Sequence, residues 1–204
     1  MITAIQAPAA VPAALTLDIV RDEAAFLALA PFWDHLVDQT AIASPFLRWD
    51  WMRLWWEHCR GAATLAVGVL RDAEGVPQAI APLMLARETE GARRHLTALS
   101  FLGGFGGAHG ERLDFIVPAG REDKLTPQLC RVLKELRPEC DLVRPNFLPQ
   151  ESPNTPHILG ALERTFTHAS VLNRTACRLI TVPEKWEDIE LRHSASWRGN
   201  LRRS

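Results

Sequence analysis

The residues of this chain that can do chemistry gather in two places. One is the loop Gly103-Gly104-Phe105-Gly106-Gly107-Ala108-His109-Gly110 with the stretch behind it, where Glu111 and Asp114 follow His109. A carboxylate or imidazole beside a flexible loop is well placed to act as a general base. The competing expectation for Glu111 and Asp114 is plain solvation, because lone carboxylates are mostly exposed. Gly104 and Gly106 lack side chains, so their backbone N–H groups can approach a ligand closely. The other place is the final stretch, Arg192-His193-Ser194-Ala195-Ser196-Trp197-Arg198-Gly199-Asn200-Leu201-Arg202-Arg203-Ser204, with four arginines and no acid. On a helix Arg198, Arg202 and Arg203 share one side. Such a cluster can hold a phosphate or carboxylate, which makes Arg198 and Arg202 candidates for binding a substrate or anion. The same pattern also suits the solvated face of an interdomain helix.

Other signatures are missing from the sequence. There is no G-x-S-x-G elbow, no P-loop, no H-E-x-x-H and no cysteine pair at zinc spacing, so no metal site is expected. The glycine loop approaches a dinucleotide fingerprint, but His109 stands where the third glycine belongs and a strand follows instead of a helix. His58 and Cys59 are adjacent, so on a helix they do not face each other. Cys59 continues a tryptophan-bearing face and is expected in the core, as are the cysteines on apolar runs at 130, 140 and 177. Trp33, Trp49, Trp51, Trp55 and Trp56 form the densest aromatic cluster. Their helical spacing points to packing, with one or two left to line a groove.

The 204 residues are 47% hydrophobic and carry a net charge of −1, enough for one substantial core and no bias toward nucleic acid or acidic lipid. No apolar window approaches the ~20 residues of a membrane span. The first dozen residues lack the basic start and apolar run of a secretion signal. The scattered cysteines fit reduced thiols, so a cytoplasmic location is expected.

Several elements must position these groups. Ala14 to Val20 reads as a strand, and Phe26, Leu29, Ala30, Trp33, Leu36 and Val37 recur at the spacing of a helix of about four turns. Ser44-Pro45 opens a second helix bearing the tryptophans. Thr64–Arg71 and Gln78–Arg87 read as a hairpin around Asp72-Ala73-Glu74-Gly75. Strands are expected at His95–Leu102, Leu113–Val117, Asp141–Arg144 and Cys177–Val182, and helices at Arg121–Leu136, at His157–His168 and from Pro183 onward. Pro145–Pro156, with four prolines, reads as a loop. Hairpins mixed with helical crossovers imply an α/β layer fold with a mixed sheet. No helix stop follows the final arginines, so the chain reads as the front portion of a longer protein.

Phe46-Leu47-Arg48-Trp49-Asp50-Trp51-Met52-Arg53-Leu54-Trp55-Trp56 resembles an early helix of the CelD/BcsL-type acetyltransferases, which are associated with cellulose biosynthesis and belong to the GNAT superfamily. Ile80-Ala81-Pro82-Leu83, Leu99-Ser100-Phe101-Leu102-Gly103, and the stretch from Leu113-Asp114 to Arg121-Glu122 agree with that family in order and spacing. Ser194 to Arg203 resembles its S-x-x-x-R-x-N-L-R-R segment. The resemblance implies a GNAT-like mixed sheet flanked by helices, as the first half of a tandem, Fem-like pair that is truncated here. Residues 1–13 would be a flexible arm, 14–182 a divergent N-terminal GNAT-like domain, and 183–204 the connecting helix and start of the C-terminal acetyltransferase domain. The implied activity is acyl-CoA-dependent N-acyl transfer in a cell-envelope or exopolysaccharide pathway. Acetyl-CoA or another acyl-CoA would be the donor, bound mostly outside this chain, and a small molecule or glycan precursor the acceptor. Glu111 or Asp114 would serve as base or substrate contact and Arg198 would meet an anionic group. The family's R/Q-x-x-G-x-G/A cofactor loop has no counterpart here, so the alternative is a non-catalytic substrate-binding or scaffolding module.

Overall fold

The computed structural model describes residues 15–42, 44–90, 94–104, 109–170, 174, 176, 183–201 and 203. They divide into two compact units, Met1–Ala169 and Ser170–Ser204. The expected arm at 1–13, the strand Cys177–Val182, Cys177 itself, Gly106 and Arg202 lie outside the described residues.

The first unit is an α/β assembly. Its elements are β1 (Thr16–Val20), α1 (Glu23–Leu27), α2 (Ala30–Asp38), α3 (Trp49–Cys59), β2 (Thr64–Leu65), β3 (Val67–Arg71), β4 (Pro77–Ala81), β5 (Leu83–Glu90), β6 (Arg94–Phe101), α4 (Glu122–Leu129), α5 (Arg131–Leu136), β7 (Leu142–Arg144) and α6 (Asn154–Thr165). One sheet runs β1-β3-β4, all antiparallel; the other runs β2-β5-β6-β7 and is mixed, because β6 and β7 pair in parallel. The expected hairpin links them. Thr64 opposes Leu85 and Leu65 opposes Met84, and the same register continues through Gly68 opposite Ala81 and Val69 opposite Ile80. Pro82 sits at the break and has no N–H to give to the ladder, so one long hairpin is shared between two sheets. Its turn is held by Asp72 Oδ1, which accepts from the backbone N–H groups of Glu74 at 3.2 Å and Val76 at 2.8 Å.

Helices pack on β3 and β4. Toward α5 the hairpin presents small residues: a Cβ on Gly68 would stand 3.0 Å from Val132 Cγ2 and 3.4 Å from the Cβ of Ala81. Helix α4 packs on β3 and β4, and α2 also reaches β4. The core joins Phe26, Trp33, Met52, Trp55 and Trp56 to Val69, Ile80, Phe101, Phe115, Leu129 and Leu133. Trp33 donates its Nε1 hydrogen to the carbonyl of Leu47 at 2.7 Å, so this buried indole is satisfied.

Several expected helices are divided or displaced. The first is two, broken at Ala28-Leu29, with Pro31 at the start of α2 and Asp22 capping α1 through Ala25 N–H. Ser44-Pro45 opens only a 3-10 turn, Pro45–Leu47; Arg48 is extended and α3 starts at Trp49. The reason lies in a distant residue, since Asp34 Oδ1 accepts from Trp49 N–H at 2.9 Å and supplies the cap. Arg121–Leu136 divides at Cys130 into α4 and α5, just beyond Pro127 inside α4. Leu113–Val117 makes no ladder: Ile116 bridges Ile80 and, next to the segment, Pro118 bridges Thr40. Cys59 is exposed, not in the core, because α3 ends there; Cys130 and Cys140 are buried. Burial pushes the Cys130 thiol up to about 12, which keeps it inert.

The second unit holds the helical region expected after Pro183, as α7 (Trp186–Arg192) and α8 (Ala195–Leu201). Ser194 Oγ accepts from Trp197 N–H at 3.3 Å and caps α8, which explains the break between the two helices. Among the described residues no helix is long and apolar enough to cross a membrane.

Candidate functional site

Because β6 and β7 are parallel, their carboxyl ends lie side by side, with Ser100 opposite Arg144. The chain leaves β6 into residues 102–112 and leaves β7 into residues 145–153. The central hairpin changes neighbours at the same level: Leu83 pairs with Phe101, while Ile80 pairs with Ile116. Open α/β sheets bind ligands in the crevice outside strand carboxyl ends, where strand order switches. Glu111 and Asp114 both lie on the connection that leaves β6 and leads to α4.

A buried polar cluster ties the two connections together. Asp114 is 2% exposed. Its Oδ1 accepts from Phe115 N–H at 2.7 Å, and its Oδ2 accepts from Ser152 Oγ and from Asn154 Nδ2 at 3.2 Å. Asn154 Nδ2 also donates to the Phe115 carbonyl at 3.0 Å, and Thr126 Oγ1 donates to Asn154 Oδ1 at 2.6 Å. Burial pushes the Asp114 carboxyl up to about 6; the hydrogen bonds from Ser152, Asn154 and Phe115 pull the other way, and nearby Glu122 adds to the rise. The cluster welds the stretch after the glycine loop to α4 and to the start of α6.

The two connections are joined at two further points. Arg112 Nη1 donates to Glu151 Oε1 at 2.6 Å. The Glu151 carboxyl is held below the usual range by a backbone N–H and by Arg112. His109 stacks on Phe147 with ring centres 4.7 Å apart and planes within 5°. Arg112 and Phe147 are the two non-glycine residues with positive φ among the described ones, at +54° and +65°. For a bulky side chain that backbone region costs on the order of 1–3 kcal/mol, and it tends to persist where function requires it.

Phe46 and Trp51 stand against Gly110, in an edge contact with each other at 4.9 Å. The glycine loop closes where Gly110 N–H donates to the Gly103 carbonyl at 2.7 Å. A Cβ on Gly110 would lie 2.7 Å from Phe46 Cβ, so a side chain there would collide. The indole N–H of Trp51 is buried with no hydrogen-bond partner among the described residues.

The expected site residues therefore separate. Glu111 is exposed, and its carbonyl accepts from Ser44 Oγ at 3.1 Å. Asp114 is sealed from solvent, contrary to the solvated state expected of a lone carboxylate. Gly104 has its N–H committed to the Phe101 carbonyl at 3.0 Å, and a Cβ there would meet Leu113 at 3.0 Å, so this glycine serves close packing. Arg198 belongs to the second unit and donates through Nη1 to the His193 carbonyl at 2.7 Å. Ser152, Asn154, Thr126, Glu151 and Phe147 were not expected at a site. One usable signal was Ser152-Pro153, a helix-start pair inside the proline-rich stretch.

No protein-family model matches this chain, and neither curated proteins nor solved structures provide a match.

Proposed function

We propose that this chain is the acceptor-side part of an acyl-CoA-dependent N-acyltransferase of the GNAT type, serving a cell-envelope or exopolysaccharide precursor. One observation carries the reading: four segments that resemble the CelD/BcsL-type enzymes, far apart in sequence, pack against one another. Trp51 and Met52 stand against Gly103, Leu102 N–H donates to the Pro82 carbonyl at 2.8 Å, and Ile116 bridges Ile80.

In the proposed reaction an acceptor amine attacks the thioester carbonyl carbon of acetyl-CoA. Glu111, the solvent-facing acid, takes the amine proton as the C–N bond forms. The C–S bond then breaks, the carbonyl re-forms, and coenzyme A leaves as its thiol with a proton returned from the carboxyl. Asp114 acts through position alone, because its oxygens are already occupied and it holds Glu111's connection in place. The GNAT identity, the tandem arrangement, the acyl-CoA donor, the glycan-precursor acceptor and the Arg198 contact with an anionic group all belong to this proposal.

The occupied state of Asp114 favours a second reading, a non-catalytic scaffolding or substrate-binding module. Isothermal titration of acetyl-CoA into the chain separates the two. Micromolar binding supports the transferase, and no heat at millimolar ligand supports the scaffold and rejects donor binding by this chain.

A further inference from the structure

From the geometry we infer that the His109–Phe147 ledge and the Arg112–Glu151 pair form a pyranose-binding subsite, which rests on the acceptor-side reading above. Phe147 is 41% exposed although its backbone lies in a region that glycine would occupy without strain. One packing contact, the stack on His109, accompanies that conformation, and much of the ring is left to solvent. Its ring is held flat by the parallel His109 ring, so the pair presents a rigid aromatic face. The face of an aromatic ring is electronegative, and the C–H groups on one side of a pyranose carry partial positive charge and lie against it.

The polar groups beside the ledge suit the same ligand. Arg112 lies three residues from His109, and Glu151 four from Phe147. Three residues span at most about 11 Å, so one disaccharide-sized ligand can reach the ledge and the ion pair together. Vicinal hydroxyls donate and accept at once. The half-buried Arg112 guanidinium has donors beyond the one given to Glu151, and the exposed Glu151 carboxylate has acceptor capacity beyond that bond. Asp114, Ser152 and Asn154 join both connections at their base.

The test is titration of the chain with cellohexaose, a neutral pyranose oligomer, followed by two-dimensional amide NMR, with adenosine as a flat-ring competitor. Saturable shifts at His109, Arg112, Phe147 and Glu151 are expected with cellohexaose and not with adenosine. Phe147→Ala should weaken binding at least tenfold. Phe147→Gly should weaken it equally while the melting temperature holds or rises, since glycine relieves the positive φ. Absence of cellohexaose binding, a preference for adenosine, or unchanged affinity in Phe147→Gly would overturn the inference. Acetyl-CoA takes no part in these titrations, so their failure is distinct from failure of the transferase reading.

Discussion

Asp114 holds a proton in the folded chain over a pH range where the unfolded chain has released it. Its carboxyl is pushed from an ordinary 3.8 to about 6, chiefly by burial. A raised folded pKa contributes stability in full below about 3.8, and that contribution is lost as pH rises through about 6. Two pKa steps correspond to about 3 kcal/mol. Urea midpoints measured between pH 4 and 7 should therefore fall with rising pH in the parent, and Asp114→Asn should flatten that fall. A variant with the parent's slope would refute the assignment. Asp114→Ala should cost about 2–4 kcal/mol at pH 5, because Ser152 and Asn154 would lose a buried partner. Asp114 was visible in the sequence as a candidate acid. Its partners were not, since Ser152 and Asn154 lie about forty residues away and only the fold brings them together.

At the scale of elements, the close approach of helix and sheet depends on side chains that are absent. Gly68→Ala should cost about 1–3 kcal/mol through overpacking against Val132. Combining it with Val132→Ala should cost less than the sum of the single changes, a coupling that a double-mutant cycle reads directly. Strict additivity would mean the two residues do not meet. Periodicity and turn chemistry made β1, the long hairpin, β6 and β7 legible, because those signals are local. Helix boundaries were less so. The start of α3 depends on Asp34, fifteen residues earlier, and Pro82 divides a hairpin whose hydrophobic pattern runs on without a break. The strand expected at Leu113–Val117 is not formed: its ladder is replaced by a single bridge at Ile116 and by the Asp114 cluster.

At the scale of the whole molecule, the mixed α/β class followed from the order of strands and helices. The position of the site did not, since it depends on β6 and β7 being parallel, and a three-residue strand carries no sequence mark of its direction. That pairing brings the connections after β6 and β7 together, and of the expected pair of carboxylates Glu111 is exposed while Asp114 is buried. The direct test is the release of free coenzyme A thiol from acetyl-CoA in the presence of a glucosamine oligomer by this chain joined to the donor-binding half that the proposal requires, comparing the parent with Glu111→Gln. Amine-dependent release that drops about 100-fold in the variant is the predicted result, the usual scale of a lost general base. No amine-dependent release from the parent, or equal release from both proteins, would contradict the account.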